Sequence, residues 1–442
     1  MIRVAGPGRV VPESAAVTIG EAAFPAPFKG QLEFNPPVHG TWNIVHIGMA
    51  IPGAHQVYVC GINCMRGVVL TAAEMGARDR FSCVILKDED ILTGNVEQVT
   101  IEGILDVVAG LPRKPSCVLV FPVCTHHFLG CDMNFIYRKL REARPDVTFV
   151  PCWMDPIMQK HGLTPEQKLR RAMFEPLEER PAKKGVVSLI GYDFPLRESE
   201  MDGWLEMNAV SLRQLPKCKT YEEYLALAEA ELFVAVYPTA QPGAPALAKR
   251  LGRPYLYLPL TFDAGEIRAN AERLAEALGL AAPDLAEAEA EAMDALRKAG
   301  ELIRDTEIRI DMSFHPRPLG LARLLLDNGF RVTCIYQDAI SGEEKDVFIY
   351  LKERYPELMI SSIIRPEMRH VGRHVSNKVL ALGQKAAYFS DTPYFVNMVA
   401  GGGLNGFAGI RDLAALMTEA YLTPKDTKDL VVRKGLGCES CV

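Results

Sequence analysis

The chain has 442 residues, 48% of them hydrophobic and 24% charged, with a formal net charge of −6 at pH 7. At ~150 residues per domain this length implies about three domains, each able to bury a core. The charge balance argues against a nucleic-acid partner, and no run of ~20 apolar residues suggests a membrane span.

The N-terminal MIRVAGPGRVVPESAAV has no apolar core of a signal peptide and reads as a cytoplasmic start. Short apolar runs then alternate with amphipathic stretches. QVYVCGI, FSCVILKD, SCVLVFPV and DVTFVPC read as buried strands, and IEGILDVVAGL and MNFIYRKLREARP as helices between them. Residues 160–184 are polar and are expected to be helical. GVVSLIGYDF then opens a fresh unit with a strand, and two further strand-helix rounds follow through 260. The Ala/Glu-rich stretch 280–303 carries Leu, Met and Ile at helical spacing and is expected to be a long solvated helix. TEIRIDMSF begins a third unit, with LGLARLLLDNGF and EKDVFIYLKERYP as helices and RVTCIYQD as a strand. The glycine run GGGLNGFAGI precedes the last helix. The pattern predicts an α/β protein with parallel sheets in three Rossmann-like domains, at 1–184, 185–300 and 301–442.

Eleven cysteines are many for such a chain, and their spacing is not that of a small disulfide framework. Cys60 and Cys64 flank Gly-Ile-Asn where the first strand ends. Cys124 and Cys152 stand at the ends of two other strands. Four thiols at strand exits can converge on one crevice, where soft thiolates suit an iron–sulfur cluster or zinc. Core packing is the plain alternative for each of them. Gly61 and Gly130, in the same exit turns, are the candidate backbone contacts to a bound cofactor. His126 and His127 follow Cys124, and paired histidines at a strand exit can supply protons or bind metal; Asp132 is a further candidate to supply protons. Alternatively, one histidine caps a helix and the other faces solvent. Cys83, Cys117, Cys218 and Cys334 lie in apolar runs and read as core, and Cys131 is open. Cys438 and Cys441 form a C-x2-C near the end, as a redox pair, an extra metal site or idle thiols. No phosphate-binding G-x4-G-K-[ST], no G-x-G-x-x-G after the first strand and no G-x-S-x-G is present.

Taken together, the segments NPPVHGTWNIVHIGMAIPGAHQVYVCGINCMRG, DEDILTGNVEQVTIEGI (Asp90 and Gly94 in register), PSCVLVFPVCTHHFLGCDMNFIYRKL, GVVSLIGYDF and GQKAAYFSDTPYFVNMVAGGGLNGFAGIRDLA resemble the nitrogenase component 1 family over roughly residues 35–420. In that resemblance Cys64 and Cys124 match two cluster-ligating cysteines. Another ligating position falls at Val38 or His39, and Gly130-Cys131-Asp132 replaces the family's Gly-Asp-Asp. The cofactor-ligating cysteine and histidine of nitrogenase itself fall near Val236-Tyr237 and on Asn405, so N₂ reduction is not implied.

The resemblance implies a catalytic-component subunit of a nitrogenase-like reductase. It would use an iron–sulfur cluster at a subunit interface, with 4Fe-4S expected and a larger cluster allowed if Cys60, Cys152 or His39 adds a ligand. It also implies a homodimer, or a heterodimer with a related component 1 subunit, and an ATP-dependent Fe–S reductase as electron donor. Smaller relatives that reduce tetrapyrroles, such as light-independent protochlorophyllide reductase and nickel-sirohydrochlorin diamide reductive cyclase, are the implied comparison. A scaffold for assembling a complex metal cofactor is the alternative.

Overall fold

The computed structural model describes residues 15–30, 33, 34, 36–38, 43–155, 162–370 and 377–430. His39 and the Cys438/Cys441 pair lie outside the described residues. The chain divides into two compact units. One holds the described residues of 42–195 and 205–259, and the other those of 1–41, 196–204 and 260–433.

The first unit contains two four-stranded parallel sheets. β2 (His55–Cys60), β3 (Phe81–Ile85), β4 (Cys117–Pro122) and β5 (Thr148–Pro151) are ordered β3-β2-β4-β5. β6 (Lys183–Leu189), β7 (Ser211–Gln214), β8 (Ala230–Ala235) and β9 (Tyr255–Tyr257) are ordered β7-β6-β8-β9. β2 and β4 are buried at every position, as continuous apolar runs in parallel sheets are. Strand alternation divides their side chains between two cores. Val57, Val59, Val118 and Val120 pack with Ile101, Ile104, Ile136 and Leu140 of the helices Val96–Gly110 and Met133–Ala143. Tyr58, Cys60, Leu119 and Phe121 face the opposite core, which also holds Phe233 and Ala235 from the second sheet and Leu247 from the helix Ala244–Arg250.

The second unit is built on one six-stranded sheet. β1 (Ala16–Thr18), β10 (Glu307–Asp311), β11 (Val332–Tyr336), β12 (Met359–Ser361), β13 (Val379–Leu382) and β14 (Phe395–Val396) are ordered β1-β12-β11-β10-β13-β14. All its pairs are parallel except β1 with β12, which is antiparallel at the edge.

The mixed α/β architecture with several parallel sheets is the one expected. Two local expectations fail. In 160–184 only Pro165–Ala172 is helical among the described residues, started by a Thr164 capping box, and a strand begins already at Lys183. The helix Ala286–Ile303 is not solvated all round: Ala292, Leu296, Ala299 and Ile303 are buried with Leu413 and Met417 of the helix Gly406–Leu422. Its small alanines let it pack closely, so the Ala/Glu composition gives a two-sided helix. The short strands β1, β12, β13 and β14 have no distinct signal in the sequence.

Candidate functional site

In each sheet the strand order reverses once, at β2, β6 and β10, and open α/β sheets bind ligands at the carboxyl ends of strands at such points. The three edges are chemically different.

At the first edge β2 and β4 run side by side in parallel, with Val59 opposite Pro122. From β2 the chain passes through Gly61 into the turn Ile62–Cys64 and then the helix Arg66–Glu74. From β4 it passes through Val123 into the short helix Cys124–Phe128. Cys64 is exposed and Cys124 half-buried. The expected convergence of four thiols is divided by the strand pleat. Cys60 and Cys152 are both 0% exposed within the apolar core. Burial, with Cys83 and Cys64 as lesser influences, pushes the Cys60 thiol up to about 12. Burial first, and then Cys117 and Glu175, holds Cys152 well above the usual thiol range. Among the described residues no group of three or more His, Cys, Asp or Glu side chains is close enough to hold a metal ion by itself.

The neighbours of Cys124 fall into different roles. His126 is 1% exposed. Its Nδ1 accepts the Val123 N–H at 3.2 Å, so Nε2 carries the hydrogen and faces Thr100 Oγ1 at 3.1 Å. Thr100 Oγ1 in turn donates to Val96 O. Burial, with His127 adding to it and the Val123 contact opposing, lowers the His126 pKa to about 4. Both ring nitrogens are spent on holding the turn. Asp132 caps the helix Met133–Ala143 by accepting the Phe135 N–H at 2.9 Å, which satisfies one of that helix's otherwise unpaired donors. Gly61 has an ordinary extended conformation. Gly130 has φ +65°, the left-handed region that ends the turn after the helix, with open space around its α-carbon. Cys131 is half-buried.

His127 alone of these groups reaches outward while held from behind. Its side chain is 32% exposed, and its Nε2 lies 2.9 Å from Oδ2 of the fully buried Asp155. Lys168 Nζ approaches the same oxygen at 2.6 Å. Trp153 stacks on the imidazole. Sequence reading missed Trp153, Asp155 and Lys168. The signal available was the place of the first two in WMD, directly after Cys152 at the end of β5.

Large apolar side chains stand exposed around this edge. Ile62 follows β2, Leu92 ends the helix after β3, and Phe128 follows β4, at 67%, 85% and 76% exposure. Large apolar side chains left exposed together are a common feature of interaction sites.

The other two edges are filled from within. After β6, Asp193 meets Arg170, both almost fully buried. Nη1 of Arg170 donates to Gly191 O and to Asp193 Oδ1, both at 2.9 Å, Nη2 to Asp193 Oδ2 and Glu166 Oε1, and Nε to Glu166 Oε1. The guanidinium also lies 5.3 Å over the Tyr237 ring. After β10, the buried Asp311 accepts the N–H groups of Ser313 and Ala386, both at 2.8 Å, and the Ser313 hydroxyl. The glycine run 401–403 is held rather than loose. Gly401 N donates to Phe314 O at 2.7 Å, and all three glycines have positive φ. Asn405 occupies the N-cap position of the helix Gly406–Leu422 and donates to Ser199 Oγ. Cys117 and Cys334 are buried, as core cysteines are expected to be, while Cys83 and Cys218 are half-buried at the core's margin.

The fold and its edges define a class: a chain of doubly wound parallel sheets in which one switch point exposes thiols and the others are closed by buried polar side chains. The family model for nitrogenase component 1 type oxidoreductases matches residues 45–378, and the chain belongs to that family. Two solved structures share its fold. "Nitrogenase Cp1 at pH 6.5" has a TM-score of 0.68 at 12% identity, covering 89% of this chain and 94% of that one. "Nitrogenase Cp1 at pH 5" has a TM-score of 0.56 at 13% identity, covering 93% and 94%. No curated protein sequence matches the chain. No helix among the described residues is long and apolar enough to cross a membrane.

Proposed function

We propose that this oxidoreductase-family chain is the catalytic-component subunit of a nitrogenase-like reductase, holding an iron–sulfur cluster at a subunit interface through Cys64 and Cys124. The observation that carries the reading is the placement of these two thiols, outside the core, at the ends of adjacent parallel strands at a switch point. The donor set fits the group: soft sulfur ligands suit iron–sulfur clusters. Two thiolates per chain become four across a two-fold dimer, enough for one [4Fe–4S] cluster. When bound, such a cluster supplies one-electron transfer at low potential, with an ATP-dependent Fe–S reductase as the donor. Ile62, Leu92 and Phe128 supply the apolar rim that a second component 1 subunit, identical or related, would cover. That cover keeps water from the thiolates.

Cys60 and Cys152 pack the core behind the site and shape it without ligating. A nitrogenase-type cofactor has no cysteine near Tyr237 to hold it. That edge carries the Arg170–Asp193 pair instead, which favours a different substrate from N₂. The test is anaerobic iron and sulfide content with EPR of the dithionite-reduced protein. Cys64→Ala and Cys124→Ala are expected to lose most of the iron and the brown colour, and Cys218→Ala to keep both. Equal iron in all three variants overturns the reading.

A further inference from the structure

A histidine that binds a metal through one ring nitrogen donates the other N–H to a carboxylate or carbonyl, which fixes the tautomer and the ring plane. His127 has that arrangement. Nε2 lies 2.9 Å from Asp155 Oδ2, and in a neutral imidazole that donates from Nε2 to a carboxylate oxygen the lone pair is on Nδ1. Nδ1 makes no hydrogen bond among the described residues. The ring is pinned a second time by Trp153, with centroids 3.9 Å apart and planes 12° from parallel.

The support behind it is costly to build. Asp155 is wholly buried, receives both His127 and Lys168 on Oδ2, and leaves Oδ1 buried without a partner. A buried polar atom left unpaired is rare and calls for a reason. Met154 N donates to Pro122 O and Met154 bridges Val123, so this segment is laced to the exit of β4 and sets Asp155 beside the helix Cys124–Phe128. Within that helix Cys124 and His127 are three residues apart, neighbours on one face with Cβ atoms about 5–6 Å apart.

We infer that His127, through Nδ1, is a third ligand to the metal centre begun by Cys64 and Cys124, with Asp155 and Trp153 as its positioning residues and Lys168 balancing the buried charge. The inference rests on the cluster reading above and extends it to a mixed thiolate–imidazole iron–sulfur centre. Three ligands per chain become six across a two-fold dimer, which suits a cluster larger than four irons. Exchanging a thiolate for a neutral imidazole also raises the reduction potential.

The test uses the full chain, reconstituted anaerobically with iron and sulfide, reduced with dithionite and examined by pulsed EPR for nitrogen coupled directly to the cluster. Wild type is expected to show this coupling and His127→Ala to lose it. His127→Cys is expected to keep the wild-type iron content without the coupling, which separates lost ligation from lost folding. Asp155→Asn is expected to change the coupling while iron stays bound. Iron-loaded wild type without nitrogen coupling, or coupling that survives His127→Ala, overturns this inference and leaves the cluster reading standing. Wild type that binds no iron overturns both.

Discussion

Arg170 offers a quantitative check on the first unit. Its side chain is 3% exposed, and all five of its N–H groups are matched by Asp193, Glu166 and Gly191 O. Burial would pull the guanidinium's pKa down, but Asp193 and Glu166 outweigh it and hold it above its ordinary range. Asp193→Ala removes two charge-assisted bonds, each about 1.5–3 kcal/mol. It strands two buried donors while Glu166, 30% exposed, still offsets part of the charge. The expected loss is about 3–5 kcal/mol, the range for breaking a buried ion pair from one side. In thermal unfolding that is roughly a 10 °C drop for a unit of this size. Urea denaturation followed by circular dichroism gives the value directly. Arg170→Met combined with Asp193→Leu, which removes both charges and fills the space, is expected to recover most of the loss. A loss below about 1 kcal/mol for Asp193→Ala, or a double variant worse than the single one, would refute the assignment of a fully paired buried guanidinium.

Three further outcomes follow from the same structure. His55, buried against Ser82 Oγ at 2.8 Å, is lowered to about 4 by burial and Arg80, with Asp79 opposing. The unfolded chain therefore binds the extra proton first, so this contribution is intact above pH ~6.5 and is lost as pH falls toward 4. His55→Gln should flatten that part of a stability–pH profile, and an unchanged slope would count against it. Gly383 has φ +111°, and an added Cβ would land on the Asp311 carboxylate, whereas Gly61 has open space and an ordinary φ. Gly383→Ala should unfold the second unit's sheet edge in hydrogen exchange, while Gly61→Ala should stay within about 0.5 kcal/mol of wild type. Asp132→Ala should cost ~0.5–2 kcal/mol as a lost N-cap and leave bound iron unchanged. A loss of iron in that variant would return Asp132 to the metal site.

Much of this protein is legible in the linear chain. Continuous apolar runs such as VYVC and CVLVFP name buried parallel strands because both faces of such sheets are covered, and cysteines directly after them sit at strand exits by necessity. The linear order of residues therefore suffices to put Cys64 and Cys124 at strand exits. It does not say which way each side chain turns. Cys60 and Cys64 are four residues apart, yet one closes a strand facing the core and the other ends an exposed turn, because the pleat fixes the first and the helical turn releases the second. Adjacent His126 and His127 divide in the same way, one spent on its own helix start and the other held by Asp155, 28 residues on in sequence. That last contact is the clearest limit. Residue type and local period give strands, helices and their exits, but a partner carried on the segment that follows a neighbouring strand is decided by sheet order, and only the tertiary structure contains it.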